Sequence, residues 1–304
     1  MNTLIKKVLS QWVSYLIVLF LLLLPLQMAA GQYVVPEIGI PVTTETQNAS
    51  LDFSGCARQD IPAVDASFEQ RVVELVNEER ANYGLPPLKS DSDLQFAARY
   101  HSADMMQENY FNHDSYDRID ASLVFVCGVF TRLKLYYPVY SALGENIAAG
   151  YGTPEAVMDA WMDSDGHRAN ILSSSFREIG AGFYKTGGTY GYYWAQDFGA
   201  NPQIYPVIIN REKIVTENPQ VSLYTYGTGV WTEMRVRNNG GDWSDWKPFQ
   251  TNLDWELDWV AGTQTVNVEL RNSVTTTSSS DTITLTTSEP LSPELGNLPD
   301  TLRF

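Results

Sequence analysis

Apolar positions change their period along this chain of 304 residues, and each change marks an element. In "SFEQRVVELVNEERANYG", Phe68, Val72, Leu75 and Val76 fall on one face at helical spacing. Ser67 and Gln70 read there as a capping box and Gly84 as the stop. A second helical face starts near Ser92 and carries Leu94, Ala97, Ala98, His101 and Met105, so His101 points inward as a core histidine. The third opens at "TPEAVMDAW", where Thr153 caps and Pro154 takes a first-turn place that needs no N–H donor. Val157, Ala160 and Trp161 form its buried side, and it runs to about Gly166. Next, "EIGAGFYKTGGTYGYYWAQDFG" alternates small and aromatic residues about Gly187-Gly188, the pattern of two antiparallel strands. Helices followed by a late hairpin predict an α+β domain over residues 64–201.

Beyond Tyr205 the period shortens to two in "VSLYTYG", "VWTEMRVRN", "TVNVEL" and "DTITLTT", separated by Gly, Asn, Asp and Ser. Alternation of Met234 and Val236, and of Val266, Val268 and Leu270, with polar neighbours predicts a β-sandwich over residues 205–288 with its own core. Residues 31–63 lack periodicity and read as a linker, and residues 289–304 as a flexible tail. Residues 1–30 have the layout of a secretory signal: Lys6 and Lys7, an apolar run from Trp12 to Leu26, then Ala29, Ala30 and Gly31. The run is shorter than the about 20 residues of a membrane span and is interrupted by Pro25, so cleavage near Ala30 is favoured over an uncleaved amino-terminal anchor. Either way the remainder is exported, secreted or held at the cell surface.

The formal net charge of −16 removes some partner classes, because nucleic acid and anionic lipid demand local positive charge in place of counterions. Membrane contact is left to an uncleaved leader. Cys56 and Cys127, the only cysteines, lie in the exported part, where a disulfide persists; a bridge or two buried thiols both fit the sequence. No HExxH, GxSxG or GxxxxGK[ST] occurs, and nothing nominates an activated nucleophile. The three histidines, His101, His113 and His167, cluster within one third of the chain and mark where polar chemistry gathers.

Six motifs occur in order: "LVNEERANYGLPPL", "FNHDS", "LGENIAAG", "AVMDAWMDSDGHRANIL", "FREIGAGFY" and "YYWAQDFG". Together they resemble the bacterial branch of the SCP or CAP superfamily, which includes cysteine-rich secretory proteins, insect venom antigen 5 and plant pathogenesis-related proteins. The resemblance implies an α-β-α sandwich with a central cleft that often gathers two histidines and two acidic residues. His113 matches the first histidine and Glu145 the first glutamate. The second glutamate position falls on Ser164, and the strand histidine is replaced by Tyr193, ahead of Gln196, so the full tetrad is absent. His167 of "SDGHR" is the candidate to fill the cleft from another backbone position.

Two readings of the cleft follow. His113, Glu145 and His167 would hold a divalent metal such as zinc with one open position, or they form a metal-free polar cluster fixed by hydrogen bonds. Ser164, Tyr193 and Gln196 complete the expected lining, and Trp161 and Trp194 flank it as core aromatics. Arg168 and Asn170 are expected to brace the loop after the third helix, Asn170 through bonds to backbone. The sandwich holds Trp231, Trp243, Trp246, Trp255 and Trp259, five of the eight tryptophans, read as packing residues in preference to glycan-stacking ones. Its "EMRVRNNGGDWSDWKPF" resembles the immunoglobulin-like repeats of bacterial surface proteins, which implies a spacer or adhesion module. The favoured function is therefore binding of a small ligand, divalent ion, peptide segment or cell-surface glycan by a non-enzymatic exported protein. The alternative is a metal-dependent hydrolase acting on peptide or cell-wall material.

Overall fold

Residues 56–287 are described by a computed structural model; the expected leader, most of the linker and the tail lie outside them. Five α-helices are present among these residues: α1 (Ala66–Asn82), α2 (Ser92–Gln107), α3 (Val129–Tyr136), α4 (Pro154–Asp163) and α5 (Asp165–Ile171). The first strands are β1 (Lys89–Ser90), β2 (Ser115–Ile119), β3 (Ser122–Cys127), β4 (Ala142–Ala149), β5 (Glu178–Lys185) and β6 (Tyr192–Ala200). The cap of α1 differs from the expected box: Asp65 accepts the Phe68 amide at 3.2 Å, and Ser67 donates its hydroxyl to the same carboxylate. A full negative charge at the positive helix end outcompetes a hydroxyl for that place. Thr153 caps α4 as expected, at 3.2 Å from the Ala156 amide. That helix stops at Asp163 instead of near Gly166, because Ser164 turns extended (φ −96°, ψ 121°) and α5 starts afresh.

Strands pair in the order β1-β5-β6-β4, with β4 at an edge. One face carries α1 and α4: Val72, Val73 and Val76 pack with Val157, Met158 and Trp161 against Ile179, Phe183, Trp194 and Phe198. The other face carries α2, where Ala98 and Met105 meet Ile147, Tyr193 and Ala195. The expected α-β-α layering is therefore present. Helix α2 rides directly on the backbone of β5, since a Cβ on Gly182 would stand 2.2 Å from the Ala98 carbonyl carbon. Beyond α2, the β2–β3 hairpin and α3 close one end, and Cys127 at the end of β3 is bridged to Cys56 with Cα atoms 5.9 Å apart. Tyr136 of α3 donates to the Gln59 carbonyl at 3.0 Å and accepts from its amide at 2.9 Å, so the lead-in is fastened twice.

The later strands are β7 (Val207–Ile209), β8 (Val215–Thr216), β9 (Gln220–Thr225), β10 (Glu233–Asn238), β11 (Lys247–Pro248), β12 (Asn252–Glu256), β13 (Gly262–Arg271) and β14 (Thr276–Leu285). They form a five-stranded sheet, β11-β10-β13-β14-β8, and a three-stranded sheet, β12-β9-β7. Between the sheets lie Val207, Val221 and Leu223 from one side and Met234, Val236, Val266, Val268 and Leu270 from the other. This is a two-sheet sandwich, and the immunoglobulin likeness goes no finer than that.

A short turn joins the two parts. Asn210, Arg211 and Glu212 are three successive non-glycine residues with positive φ (44°, 60° and 68°), a conformation kept only where surroundings enforce it. Gln70 donates to the Glu212 carbonyl at 2.6 Å, Asn77 to that of Arg211 at 3.2 Å, and Lys89 to the Glu212 carboxylate at 2.8 Å. Lys89 also pairs with Asp281 of β14. No helix among the described residues is long and apolar enough to cross a membrane.

Gly182→Ala is expected to lower stability by about 3 kcal/mol, as overpacking against immovable backbone does, and a chemical-denaturation midpoint unchanged from wild type would contradict the close approach of α2 and β5.

Candidate functional site

Strand β4 holds the sequence "ALGENIAA", and its register decides what each residue does. Gly150 N–H donates to the Tyr192 carbonyl at 2.9 Å, continuing the β4–β6 register, so even-numbered residues exchange backbone bonds with β6. The backbone groups of Glu145 and Ile147 point out of the sheet. Their carbonyls would be orphaned at the edge, but Asn170 Nδ2 donates to Glu145 O at 3.1 Å and Trp161 Nε1 to Ile147 O at 3.2 Å. Asn170 also donates to Asn146 Oδ1 at 2.9 Å, and Asn146 Nδ2 donates to the His167 carbonyl and to Gln196 Oε1. Arg168 donates to the Met162 carbonyl at 2.6 Å. The "SDGHRAN" segment is thus bound to the edge strand through Asn170 and Asn146, and Arg168 fixes the loop as its position implied.

The side chain of Glu145 faces α2 and is only 2% exposed. His113 Nδ1 lies 2.8 Å from Oε1, and the fully buried Arg132 of α3 pairs with Oε2. Arg132 also donates to the His113 carbonyl at 2.9 Å and to Ser115 Oγ at 3.0 Å, so one guanidinium fixes both partners of the histidine–glutamate contact. Its charge is the main influence that holds the Glu145 carboxyl below its ordinary range despite burial, with the neighbouring imidazoles adding to it. An ionised carboxylate accepts only, so His113 carries its proton on Nδ1 and presents Nε2 outward from a ring that is 48% exposed.

The second imidazole beside Glu145 is His101 and not His167. His101 Nε2 stands 3.9 Å from Glu145 Oε1 and 2.9 Å from the Asn112 carbonyl, to which it donates. Burial, and then the Arg132 charge, push His101 down to about 3, so it is neutral, and its buried Nδ1 has no partner. Asp197 of β6, opposite Glu145 in register, is fully buried with neither carboxyl oxygen paired. Burial and the Glu145 charge raise it well above the ordinary range, which makes it a neutral acid.

Near this cluster, an open groove of about 400 Å³ runs along the β4 edge. Ile147, Ala149 and Trp161 form its apolar surface, His167 and Ser164 supply polar groups, and Tyr190 stands at it with Phe111, their rings 6.0 Å apart and edge to face. His167 lies below its ordinary pKa through partial burial and then the nearby His113. Of the six residues expected in the cleft, His113 and Glu145 bond directly, while His167 and Ser164 line the groove. Gln196 and Tyr193 do not line it: Gln196 is buried behind Asn146, and Tyr193 packs among Ala98, Met105 and Ile147 with its hydroxyl accepting from the Tyr190 amide. The strand register sends Tyr193 to the α2 face, which the motif match alone did not show.

His113, Glu145 and His167 do not fit a metal. Both carboxylate oxygens of Glu145 are taken, one by a permanent cation, and among the described residues no group of three or more His, Cys, Asp or Glu side chains is placed to hold an ion. Arg132 and Asp197 escaped the sequence reading. Asp197 left a signal, an acid on the alternation that buries Tyr193 and Ala195.

The family model for CAP, the cysteine-rich secretory protein family, matches residues 73–198. The uncharacterised protein YkwD of Bacillus subtilis (strain 168) is 38% identical over 158 residues, 52% of this chain and 54% of its own length. The uncharacterised membrane protein YlbC of the same organism is 32% identical over 119 residues, covering 39% of this chain and 32% of its own. The chain therefore spans about half the length of the first relative, 54%, and 32% of the second. A solved extracellular protein containing a SCP domain, from Bacillus anthracis strain Ames, is 30% identical with a TM-score of 0.39, over 45% of this chain and 42% of that one.

Arg132→Met should destabilise the protein by about 3–5 kcal/mol by leaving the Glu145 carboxylate buried and unpaired, and Glu145→Gln in the same chain should restore much of that. Because the Glu145 pKa is depressed in the fold, its contribution is present above the unfolded value of 4.5 and is lost as pH falls below it. Urea denaturation between pH 6 and pH 2.5 should then show a steeper acid loss in wild type than in Glu145→Gln; equal slopes would refute the assignment.

Proposed function

Residues 73–198 form a CAP domain of the cysteine-rich secretory protein family, and from that premise we propose that the chain is an exported binding protein whose β4-edge groove receives a small apolar or aromatic ligand, or a peptide side chain of that kind. The observation that carries this reading is a preformed groove of about 400 Å³ lined by His167, with His113, held by Glu145, close behind it. A groove of that volume lies within the usual range for ligand sites, roughly 300–1,000 Å³.

The polar groups divide the work. Ile147, Ala149 and Trp161 offer apolar area with no hydrogen bond to lose, while His167 and Ser164 supply donors and acceptors that orient whatever enters. His113, bound to Glu145 through Nδ1 and close to His167, has Nε2 left for a ligand's hydroxyl or amide. Binding asks for no proton transfer and no nucleophile, and the site shows neither in position. The hydrolytic alternative has less support, because both oxygens of Glu145 are taken by His113 and Arg132 and no group of three ligands is gathered for an ion among the described residues.

Export is supported by the leader pattern at residues 1–30 and by the bridge between Cys56 and Cys127. The sandwich then serves as a module held at fixed orientation to the CAP domain, for spacing or attachment.

The test is a binding screen of the full chain against hydrophobic and aromatic peptides and small amphiphiles, read by isothermal titration calorimetry. Ala160→Phe fills the groove from α4 and is expected to abolish binding without lowering the thermal midpoint, whereas His113→Gln should weaken it about tenfold, one lost polar contact. Ligands that bind wild type and Ala160→Phe equally would place the site elsewhere.

A further inference from the structure

The outer face of the five-stranded sheet carries a second arrangement that the groove does not use. Trp243 and Trp246, from the loop between β10 and β11, interleave with three arginines. Arg237 lies 4.4 Å from the Trp243 ring centroid, Arg235 lies 4.9 Å from Trp243 and 4.7 Å from Trp246, and Arg271 lies 4.0 Å from Trp246. Each indole has two guanidiniums within 4.9 Å of its ring centroid. Cation–π contact stabilises such a ladder, but it does not replace the hydrogen bonds a guanidinium loses on leaving water.

Two of the three cations have carboxylate partners: Arg235 pairs with Glu269 at 2.6 Å and Arg271 with Glu233 at 2.7 Å. Arg237 has none among the described residues. Its Nε is shut off from solvent and donates to nothing, and the side chain borders a polar pocket of about 240 Å³. Strand register places the other lining groups. Arg237 of β10 stands beside Asn267 of β13, which stands beside Ser280 of β14, and the next row outward-facing on the same sheet is Arg235, Glu269 and Ser278. One unneutralised planar fork therefore faces a concavity rimmed by exposed serine hydroxyls, with Asn267 Nδ2 already donating to the Asn239 carbonyl at 2.9 Å and the Glu269 carboxylate held by Arg235; fork and hydroxyls are the donor chemistry that an oxyanion with neighbouring hydroxyl groups satisfies.

We propose that this pocket binds an oxyanion, a carboxylate or phosphate group borne on a hydroxylated ligand such as an acidic saccharide unit, with Arg237 as the binding residue. Glu233 and Glu269 are already matched by Arg271 and Arg235, so the ligand meets one net positive charge at the contact despite the chain's overall −16. Affinity should fall with added salt because the contact is charged and near solvent.

The experiment follows the Arg237 Nε–H signal by nuclear magnetic resonance in the full chain at low ionic strength, with inorganic phosphate in one arm and glucuronate in the other. A saturable shift with either probe is expected, and the arm that responds identifies the oxyanion. Arg237→Gln, which lacks that reporter and is followed by the Asn267 side-chain amide signal of the same pocket, should weaken binding on the order of tenfold or more, as loss of a charge-assisted contact does. Ser280→Asp should do the same from the opposite wall while leaving the near-ultraviolet tryptophan dichroism unchanged, which keeps the test valid if Arg237→Gln disturbs the ladder. Absence of a saturable shift with both probes at roughly tens of millimolar, or equal binding by wild type and Ser280→Asp, would overturn the proposal.

Discussion

A carboxylate buried at the edge of a sheet needs a cation, and Arg132 supplies it to Glu145. At an effective dielectric of about 20 the attraction at contact is about 4–5 kcal/mol. That is of the same order as the several kcal/mol needed to strip water from each ion, so the pair contributes little net stability. What it contributes is position. Arg132 simultaneously donates to the His113 carbonyl and to Ser115, so α3, the loop before β2, and β4 are held in one register by a single planar group. His113 acquires its tautomer and direction from that arrangement, and the polarity near the groove follows from it.

The edge strand imposes the second constraint. Outward carbonyls on β4 invite pairing with another chain, and proteins usually blunt such edges. Here Trp161 and Asn170 reach from α4 and α5 to cap Ile147 and Glu145, which explains why a tryptophan and an asparagine stand nine residues apart around an interrupted helix. The break at Ser164 lets α5 turn towards β4 so that Asn170 reaches it. His167 sits between the two caps and is presented to the groove as a consequence. A motif read as candidate chemistry is therefore chiefly an edge-covering device that also furnishes the groove with an imidazole.

The elements legible in sequence were those whose burial has one clear period. Helices α1, α2 and α4 each show an unbroken apolar stripe, and β5 and β6 alternate cleanly around their turn. The β2–β3 hairpin and α3 were not legible, because "SLVFVCGVF" is apolar on both parities and the β2–β3 turn uses Asp120 and Ala121 at φ 48° and 66° where a glycine would have announced it. Missing α3 meant missing Arg132. His101 was rightly placed inside, yet its distance to Glu145 depends on how α2 crosses the sheet, and the flush contact at Gly180 and Gly182 sets that crossing. His167 carried the motif match and ended outside contact with Glu145, since sequence order fixes which loop holds a residue and not which face of β4 it approaches.

The two regions of unspent polarity, His113 Nε2 near the groove and the Arg237 fork on the sandwich, belong to modules joined without slack. Three left-handed residues in succession would relax if nothing opposed them, each costing on the order of 1–3 kcal/mol. Gln70, Asn77 and Lys89 of the CAP domain hold them in place, while Asp281 of β14 grips the same lysine and accepts the Ile209 amide at 2.7 Å. Tyr226 adds a bond to the Pro87 carbonyl at 2.9 Å. A flexible tether needs none of these contacts. Their presence at a strained turn fixes the orientation of the sandwich on the CAP domain, which a linker alone would leave free.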